Sequence, residues 1–218
     1  MTVLHVLGGG ATQPAVEQAR ASFERETGWR IAGTFGAVGA MREKLLAGEP
    51  ADVMVLSRAL IDTLAAGGHV VAASARDVAR VATSVAARAG DPLPAVGTPE
   101  ALRAALLAAG EIHFPDPAQA TAGIHFAKVM RDLGIWDGVA DRLRPAPNGN
   151  TAMRALAAST AGRPIGCTQE TEIRATPGIV LVAPLPPGCD LTTVYTAAVT
   201  TRSAAPAEAA HLIAGMVS

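Results

Sequence analysis

The order strand, turn, helix occurs three times within the first 66 residues, and this repetition limits the fold more than any other feature of the chain. Short apolar runs predict strands at Val3–Leu7, Trp29–Phe35 and Asp52–Ser57, and a turn and a helix follow each strand. Connections of this kind place parallel strands in one sheet with helices on both faces. We therefore predict an α/β protein with a doubly wound sheet, in which a ligand binds beyond the carboxyl ends of the strands.

The rest of the chain continues the same alternation. Thr98-Pro99-Glu100 is typical of a helix start, because threonine caps a helix and proline fits its first position. The pattern also predicts a strand at Ile112–Phe114, a turn over Gln119–Gly123 and a helix from Ile124 to Leu133. With 218 residues, the chain is long enough for one large domain or two small lobes.

Charge and composition argue against several classes of protein. The net charge is −1 at pH 7, and the basic residues do not form the stripe that nucleic acid would need. No apolar run approaches the ~20 residues required to span a bilayer, so no membrane insertion is expected. The five histidines and two cysteines lack the spacing of metal sites. We expect neither a metal nor a cofactor, and the expected partner is a small-molecule ligand.

The first residues form an apolar strand pattern rather than a secretory signal with a basic start and a cleavage site. We therefore expect a cytoplasmic protein, in which Cys167 and Cys189 stay unpaired, although their spacing alone does not determine this. The alternative is that Met1 replaces a removed leader. The compartment would then be the periplasm, and an ABC permease would be a partner.

Six short segments are spread over nearly the whole chain, and it is their order and spacing that are informative. They are Gly8–Thr12, Phe35–Ala40, Gly48–Val53, Asp116–Ile124, Pro164–Glu172 and Tyr195–Val199. This set resembles the periplasmic molybdate-binding protein family. The resemblance implies the type II periplasmic-binding-protein fold, with two doubly wound α/β lobes joined by two crossover strands and a ligand cleft between them. It implies lobe one at residues 1–77 and 190–218, and lobe two at residues 78–189.

The resemblance also implies an anion site without charged side chains, built from hydroxyl groups and from backbone N–H groups at helix starts. A helix start suits an anion because it carries about half a positive charge and free N–H donors. The positions predicted to bind the ligand are Gly9, Gly10, Ala11, Thr12, Ala37, Val38, Gly39, Ser57, Thr121, Ala122, Gly123 and Gln169.

Three of these positions depart from the family pattern. The two serines of the family fall at Ala11 and Val38, and its tyrosine falls at Gln169. Thr12, one residue after Ala11, could supply a substitute hydroxyl. Val38 would remove water from an oxyanion without donating a hydrogen bond, which is costly for a charged group. We therefore expect the ligand to be an organic anion rather than molybdate.

Other polar residues have a functional and a structural interpretation. Arg58 could pair with a ligand carboxylate, although a solvated surface arginine is commoner. His125, Glu170 and Glu172 could act as acid–base groups in an isomerase or lyase on the same scaffold. In structural terms they would be an ordinary histidine and two helix-capping carboxylates. Nothing in the sequence shows that two of them converge, so no catalytic residue is assigned and ligand binding is the leading function.

Overall fold

The structure, a computed structural model, describes residues 2–217 and divides into two compact units. Unit 1 comprises Met1–Arg80 and Val194–Ser218, and unit 2 comprises Val81–Thr193. The chain therefore passes from unit 1 to unit 2 after Arg80 and returns after Thr193. Both crossings fall inside β-strands.

The strands and helices alternate along most of the chain. Across residues 2–217, no helix is both long enough and apolar enough to cross a bilayer. In chain order the elements are β1 (Val3–Gly9), α1 (Gln13–Thr27), β2 (Arg30–Gly36), α2 (Val38–Leu46), β3 (Val53–Ser57), α3 (Arg58–Ala66), β4 (Arg76–Arg88), α4 (Pro99–Ala108), β5 (Ile112–Pro115), α5 (Thr121–Asp132), β6 (Leu143–Ala146), α6 (Gly149–Ala158), β7 (Ile165–Gln169), α7 (Glu170–Arg174), β8 (Ile179–Pro184), β9 (Thr192–Val199) and α8 (Pro206–Val217).

Unit 1 contains four strands in the order β2-β1-β3-β9. β1 pairs in parallel with β2 and β3, whereas β9 runs antiparallel to β3. All four residues from Val53 to Leu56 are 0% exposed, so β3 is covered on both faces. On one face α1 and α8 pack against the sheet through Val16, Phe23 and Leu212. This arrangement confirms the predicted doubly wound order of the first three strands.

A buried carboxylate, Asp52, holds three segments of unit 1 together. Its Oδ2 accepts a hydrogen bond from the His5 backbone N–H at 2.8 Å, and its Oδ1 accepts one from the Ser203 hydroxyl at 2.7 Å. Its own backbone N–H donates to the His5 carbonyl, and its carbonyl accepts from the Thr200 N–H. Asp52 therefore ties β1 and the segment after β9 to the start of β3.

Unit 2 contains strands in the order β4-β7-β5-β6, and β8 pairs with β4. β5 is parallel to β6 and β7, and β4 is antiparallel to β7. One face of this sheet carries a core in which the rings of Phe114 and Phe126 meet edge to face at 5.8 Å. On the other face, Met153 of α6 and Ile173 of α7 pack against Ala86. Unit 2 therefore also has helices on both faces.

Two details of unit 2 differ from the prediction. α5 begins at Thr121 rather than Ile124, because Ala120 is extended and its carbonyl already accepts the Ile124 N–H at 2.9 Å. Residues 121–123 therefore form the first turn of the helix, not a loop. β6 was not predicted, since a four-residue strand containing Arg144 and Pro145 shows no apolar alternation.

We expect Asp52→Ala to lower the free energy of unfolding by about 3 kcal/mol, because it leaves the His5 N–H and the Ser203 hydroxyl without their charged acceptor. Urea denaturation measures the change. Asp62→Ala is the matched control, since Asp62 is exposed on α3. Equal stabilities of the two variants would contradict the role of Asp52.

Candidate ligand-binding site

The helices differ in how their first N–H groups are satisfied. Thr98 caps α4, with its side chain accepting from the Ala101 N–H at 3.2 Å, and Asn148 caps α6 in the same way. No side chain caps α1, α2, α3 or α5. Each of these four helices is the next α-helix after a strand that has a parallel neighbour. The uncapped starts coincide with the positions that were predicted to bind the ligand.

In unit 1, the start of α2 lies against the end of β1. A Cβ atom on Gly9 would stand 2.9 Å from Val38 Cγ1 and 3.3 Å from the Tyr195 ring. Because only glycine permits this approach, Val38 and Tyr195 pack directly over the backbone of β1. The structure therefore brings together Gly9 and Val38, two predicted site residues that are far apart in sequence.

The hydroxyl that was expected to replace the missing serines has another partner. Thr12 is fully buried, and its Oγ1 donates to the Gly9 carbonyl at 2.8 Å, which closes the 3₁₀ turn Gly10–Thr12. Ala11 and Val38 are only 4% and 6% exposed. Ala37 is buried and Gly39 is half-buried at the first turn of α2. This part of unit 1 is therefore apolar at the side-chain level.

The third uncapped start in unit 1 carries a charged pair. Ser57 precedes α3, and Arg58 forms an ion pair with Asp77. Asp77 also accepts a hydrogen bond from the Thr196 hydroxyl at 2.8 Å. Burial would raise the pKa of Asp77, but hydrogen bonds from Arg58 and Thr196 together with nearby positive charge hold it below its usual value. The guanidinium of Arg58 is thus engaged within unit 1.

In unit 2, the start of α5 holds Thr121, Ala122 and Gly123, and the last two are buried. His125 lies one turn further on, where its Nε2 is 2.8 Å from the Cys189 carbonyl oxygen. This contact ties α5 to the loop before β9. The structure therefore gives His125 a structural contact rather than an open position.

The end of β7 carries a group of buried polar side chains. Gln169 Nε2 donates to the Thr193 hydroxyl at 3.2 Å, and Thr83 faces Gln169 in the β4–β7 ladder. Within residues 2–217, Gln169 Oε1 and Thr83 Oγ1 have no hydrogen-bond partner, although both atoms are buried. Buried polar atoms are nearly always paired, so this group is suited to a polar ligand atom or a bound water.

The side chain of Glu172, a residue of α7, lies against the start of α6. Its Oε2 accepts the Thr168 hydroxyl at 2.6 Å, and the backbone N–H groups of Gln169 and Asn150 also hydrogen bond to the carboxyl group. A Cβ on Gly149 would stand 1.9 Å from Oε2, so only glycine admits the carboxylate here. Burial raises the pKa of Glu172 to about 7, against the effect of these hydrogen bonds.

Glu170, by contrast, belongs to the surface. It pairs with Arg174 one helical turn away at 2.7 Å, and the arginine side chain is mostly exposed. Sequence reasoning treated Glu170 and Glu172 as equivalent candidates because they are two residues apart. Only packing separates them, since one side chain faces solvent and the other faces the first turn of α6.

A cavity of about 300 Å³ in unit 2 lies away from these helix starts. Ala87 and Ile165 line it at the opposite ends of β4 and β7 from Thr83 and Gln169. Its wall is formed mainly by alanines and prolines of α4 and the preceding loop. The cavity therefore does not contain the predicted site residues.

The possible metal ligands and the two cysteines can be located in the structure. Residues 2–217 contain no group of three or more histidine, cysteine or acidic side chains that could hold a metal ion. Cys167 and Cys189 are free and buried. Burial raises the pKa of both thiols, so they are neutral at physiological pH.

Several residues at the site carried no signal in the sequence. Thr83 lies on β4 and Thr193 on β9, and neither belongs to a segment that the sequence analysis singled out. Gly149 follows Asn148, and the Asn-Gly pair on its own indicates only a turn. The burial of Glu172 depends on its contacts with Thr168 and the start of α6, so the sequence alone could not have revealed it.

The parallel strands with helices on both faces, and the two strands that carry the chain between the units, define the type II periplasmic-binding-protein fold. The family described as bacterial extracellular solute-binding protein matches residues 4–218, and the chain belongs to this family. The predicted fold class and the resemblance to molybdate-binding proteins are both confirmed.

Three known proteins show the range of relatives. An aconitate isomerase from a Pseudomonas species is 27% identical over 226 aligned residues, covering 100% of this chain and 83% of the relative. The molybdate-binding protein ModA of Escherichia coli (strain K12) is 22% identical over 183 residues, covering 83% of this chain and 70% of ModA. The solved periplasmic molybdate-binding protein of Azotobacter vinelandii has a TM-score of 0.78 at 19% identity, covering 98% of this chain and 92% of that chain.

The raised pKa of Glu172 predicts a stability that falls as pH rises. The carboxyl group ionises near pH 7 when folded and near 4.5 when unfolded, so between these values the folded state binds more protons. From pH 5 to pH 8, we expect the unfolding free energy of the wild type to fall by about 2–3 kcal/mol relative to that of Glu172→Gln.

Urea denaturation across this pH range checks the prediction. Glu43→Gln is the control, because Glu43 is exposed on α2. Parallel pH profiles for the wild type and Glu172→Gln would show that Glu172 titrates normally in the folded protein.

Proposed function

We propose that this protein binds a small organic anion carrying carboxylate groups at uncapped helix starts such as those of α1 and α2 in unit 1, and that it does not bind molybdate through hydroxyl groups. The observation that carries the proposal is the buried, apolar pair Ala11 and Val38 beside these starts. The family description supports solute binding in general, and the identity of the solute is our inference.

The helix starts favour a negative charge. Each leaves backbone N–H groups that no side chain of the N-cap residue accepts, and each carries the positive end of a helix dipole. The buried amide of Gln169 adds a neutral polar contact in unit 2. An anion can therefore be held without a cationic side chain.

The side chains beside these starts argue for an organic ligand. A compact oxyanion exposes charged oxygens on every side, and the side chains of Ala11 and Val38 offer it no donor. Leaving a charge without hydrogen bonds in such surroundings is costly. A carboxylate on a carbon skeleton suits both features, because its carbon atoms can contact Ala11 and Val38 while its oxygens face N–H groups.

An isomerase on the same scaffold is a second candidate. The 27% identity with an aconitate isomerase over the whole chain supports it, and that relative's name indicates a polycarboxylate ligand. Glu172, whose pKa is raised to about 7, has the properties of a group that can exchange a proton at neutral pH. Ligand binding is common to both proposals.

If the protein acts outside the cytoplasm, a membrane permease is the partner we propose.

A thermal-shift screen with trans-aconitate, cis-aconitate, citrate, sulfate and molybdate tests the binding proposal. We expect at least one polycarboxylate to raise the melting temperature and to bind in calorimetry, since a ligand at a hundred times its dissociation constant adds about 2.7 kcal/mol. Tight binding of molybdate to the wild type, or no response to any polycarboxylate, would contradict the proposal. Proton NMR of incubated cis- and trans-aconitate separates the isomerase from a binding protein.

A double variant tests why molybdate is excluded. Ala11→Ser with Val38→Ser introduces two hydroxyl donors, which we expect to strengthen molybdate binding by at least about tenfold in calorimetry. Ala59→Ser with Val71→Ser is the matched control on exposed positions of unit 1. An unchanged affinity in the site variant would show that the hydroxyl groups do not decide the selectivity.

A further inference from the structure

Three polar side chains form a cluster on the α6 side of the unit 2 sheet. Ser84 and Thr168 face each other in the β4–β7 ladder, so their side chains share one face, and Thr168 donates to Glu172. Ala86, two residues beyond Ser84 on the same strand, packs against Met153 of α6. The proton cluster, defined as Ser84, Thr168 and Glu172, therefore lies under the start of α6.

Glu172 acts as an internal anion at this helix start. The Asn150 N–H points to its carboxyl group, and Gly149 leaves room for Oε2. The Asn148 side chain accepts the Thr151 N–H at 2.9 Å. The first N–H groups of α6 are thus partly occupied by groups of the protein itself, unlike those of α5.

Ser84 is a second residue of the cluster to consider, because its buried hydroxyl group lacks a hydrogen-bond partner among the described residues. Its side chain is 0% exposed, and within residues 2–217 its Oγ has no hydrogen-bond partner. A buried hydroxyl opposite Thr168, which donates to Glu172, is a place for a water molecule or a ligand oxygen. Such a molecule would provide a route by which Glu172 exchanges its proton.

No described charged side chain neutralises Glu172. On α7, Glu170 and Arg174 pair with each other at the surface. On α6, Arg154 is exposed and donates to the Thr151 hydroxyl, and Arg88 of β4 pairs with Asp91. β7 and β8 contribute no charged residue. The carboxylate is therefore stabilised by neutral donors alone, and a further negative charge nearby would act on it without compensation.

On the basis of the proposed function, we propose that the proton cluster is a proton-binding subsite of the ligand site in unit 2. When a polycarboxylate binds near Gln169 and the start of α5, a proton passes from solvent to Glu172. No other bond changes. Ligand affinity therefore depends on pH, and Glu172 is the residue that sets this dependence.

The physical reason is repulsion between two negative charges in partly buried surroundings. Gln169 is three residues before Glu172, and its backbone N–H bonds to the Glu172 carboxyl group. A second negative charge near Glu172 disfavours its ionised form, because partly buried surroundings screen the repulsion less than water does. Protonation of Glu172 removes this repulsion, so a bound anion favours the neutral acid.

Calorimetry with trans-aconitate at pH 6, 7 and 8, in buffers of different ionisation enthalpy, measures the proton uptake directly. For the wild type we expect uptake of at least about half a proton at pH 8 and a dissociation constant at least about fivefold higher at pH 8 than at pH 6. Glu172→Gln cannot titrate, so it should take up no proton and show a flat profile. Glu43→Gln, exposed in unit 1, should behave as the wild type.

A second variant keeps the test decisive if Glu172→Gln folds poorly. Thr168→Val removes the hydroxyl that stabilises the carboxylate at nearly constant volume, so the midpoint of the pH dependence should move to higher pH. If trans-aconitate binds without proton uptake and the wild type and Glu172→Gln have equal pH profiles, the proton-cluster proposal is wrong. The proposed binding function would then still stand. Absence of binding by every polycarboxylate in the screen contradicts the proposed function as well.

Discussion

The N–H groups at four helix starts are the constraint around which this protein is organised. A helix leaves its first N–H groups without intrahelical partners, and proteins usually supply a side chain to accept them. This chain supplies such caps at α4 and α6 but not at α1, α2, α3 or α5. The doubly wound order places these uncapped helices after strands that pair in parallel, where a ligand can take the place of the missing cap.

The side chains around these starts determine which anion fits. In unit 1, Val38 and Tyr195 pack over Gly9, and Thr12 uses its hydroxyl within its own turn. The surroundings are apolar, and the donors come from the backbone. In unit 2, Gln169 and Thr83 present buried polar atoms that have no partner among the described residues. Unit 1 therefore offers apolar contacts with backbone donors, and unit 2 offers buried polar atoms.

Glu172 shows how a helix start can be used in a second way. At α5 the N–H groups of the first turn are available to a ligand. At α6 an N–H group of the first turn binds the protein's own carboxylate instead. Burial makes this carboxylate less stable than in water, which accounts for the raised pKa. Folding therefore retains a group that is partly protonated at neutral pH. Such a group is of little use for stability, but it links the binding of a negative charge to the binding of a proton.

Several elements could be predicted because their signals are local. The threonine and proline at Thr98 and Pro99 predict the start of α4, and Gly28 predicts the end of α1, where it adopts the left-handed conformation. The start of α5 was placed three residues late, because Thr121–Gly123 carries no capping side chain and resembles a turn. The missing cap that misled the prediction is the same feature that makes α5 suitable for an anion.

The sequence by itself determined the order of strands and helices, the glycine turns and the apolar residues at positions 11 and 38, because these depend on neighbours along the chain. Only the tertiary structure decided that Glu172 is buried while Glu170 is only half-buried, and that Arg58 and His125 have partners within their own units. It also brought Ser84, Thr168 and Glu172 together from separate elements. Burial and pairing depend on residues that are distant in sequence, and the packing of helices on the sheets determines which of them meet.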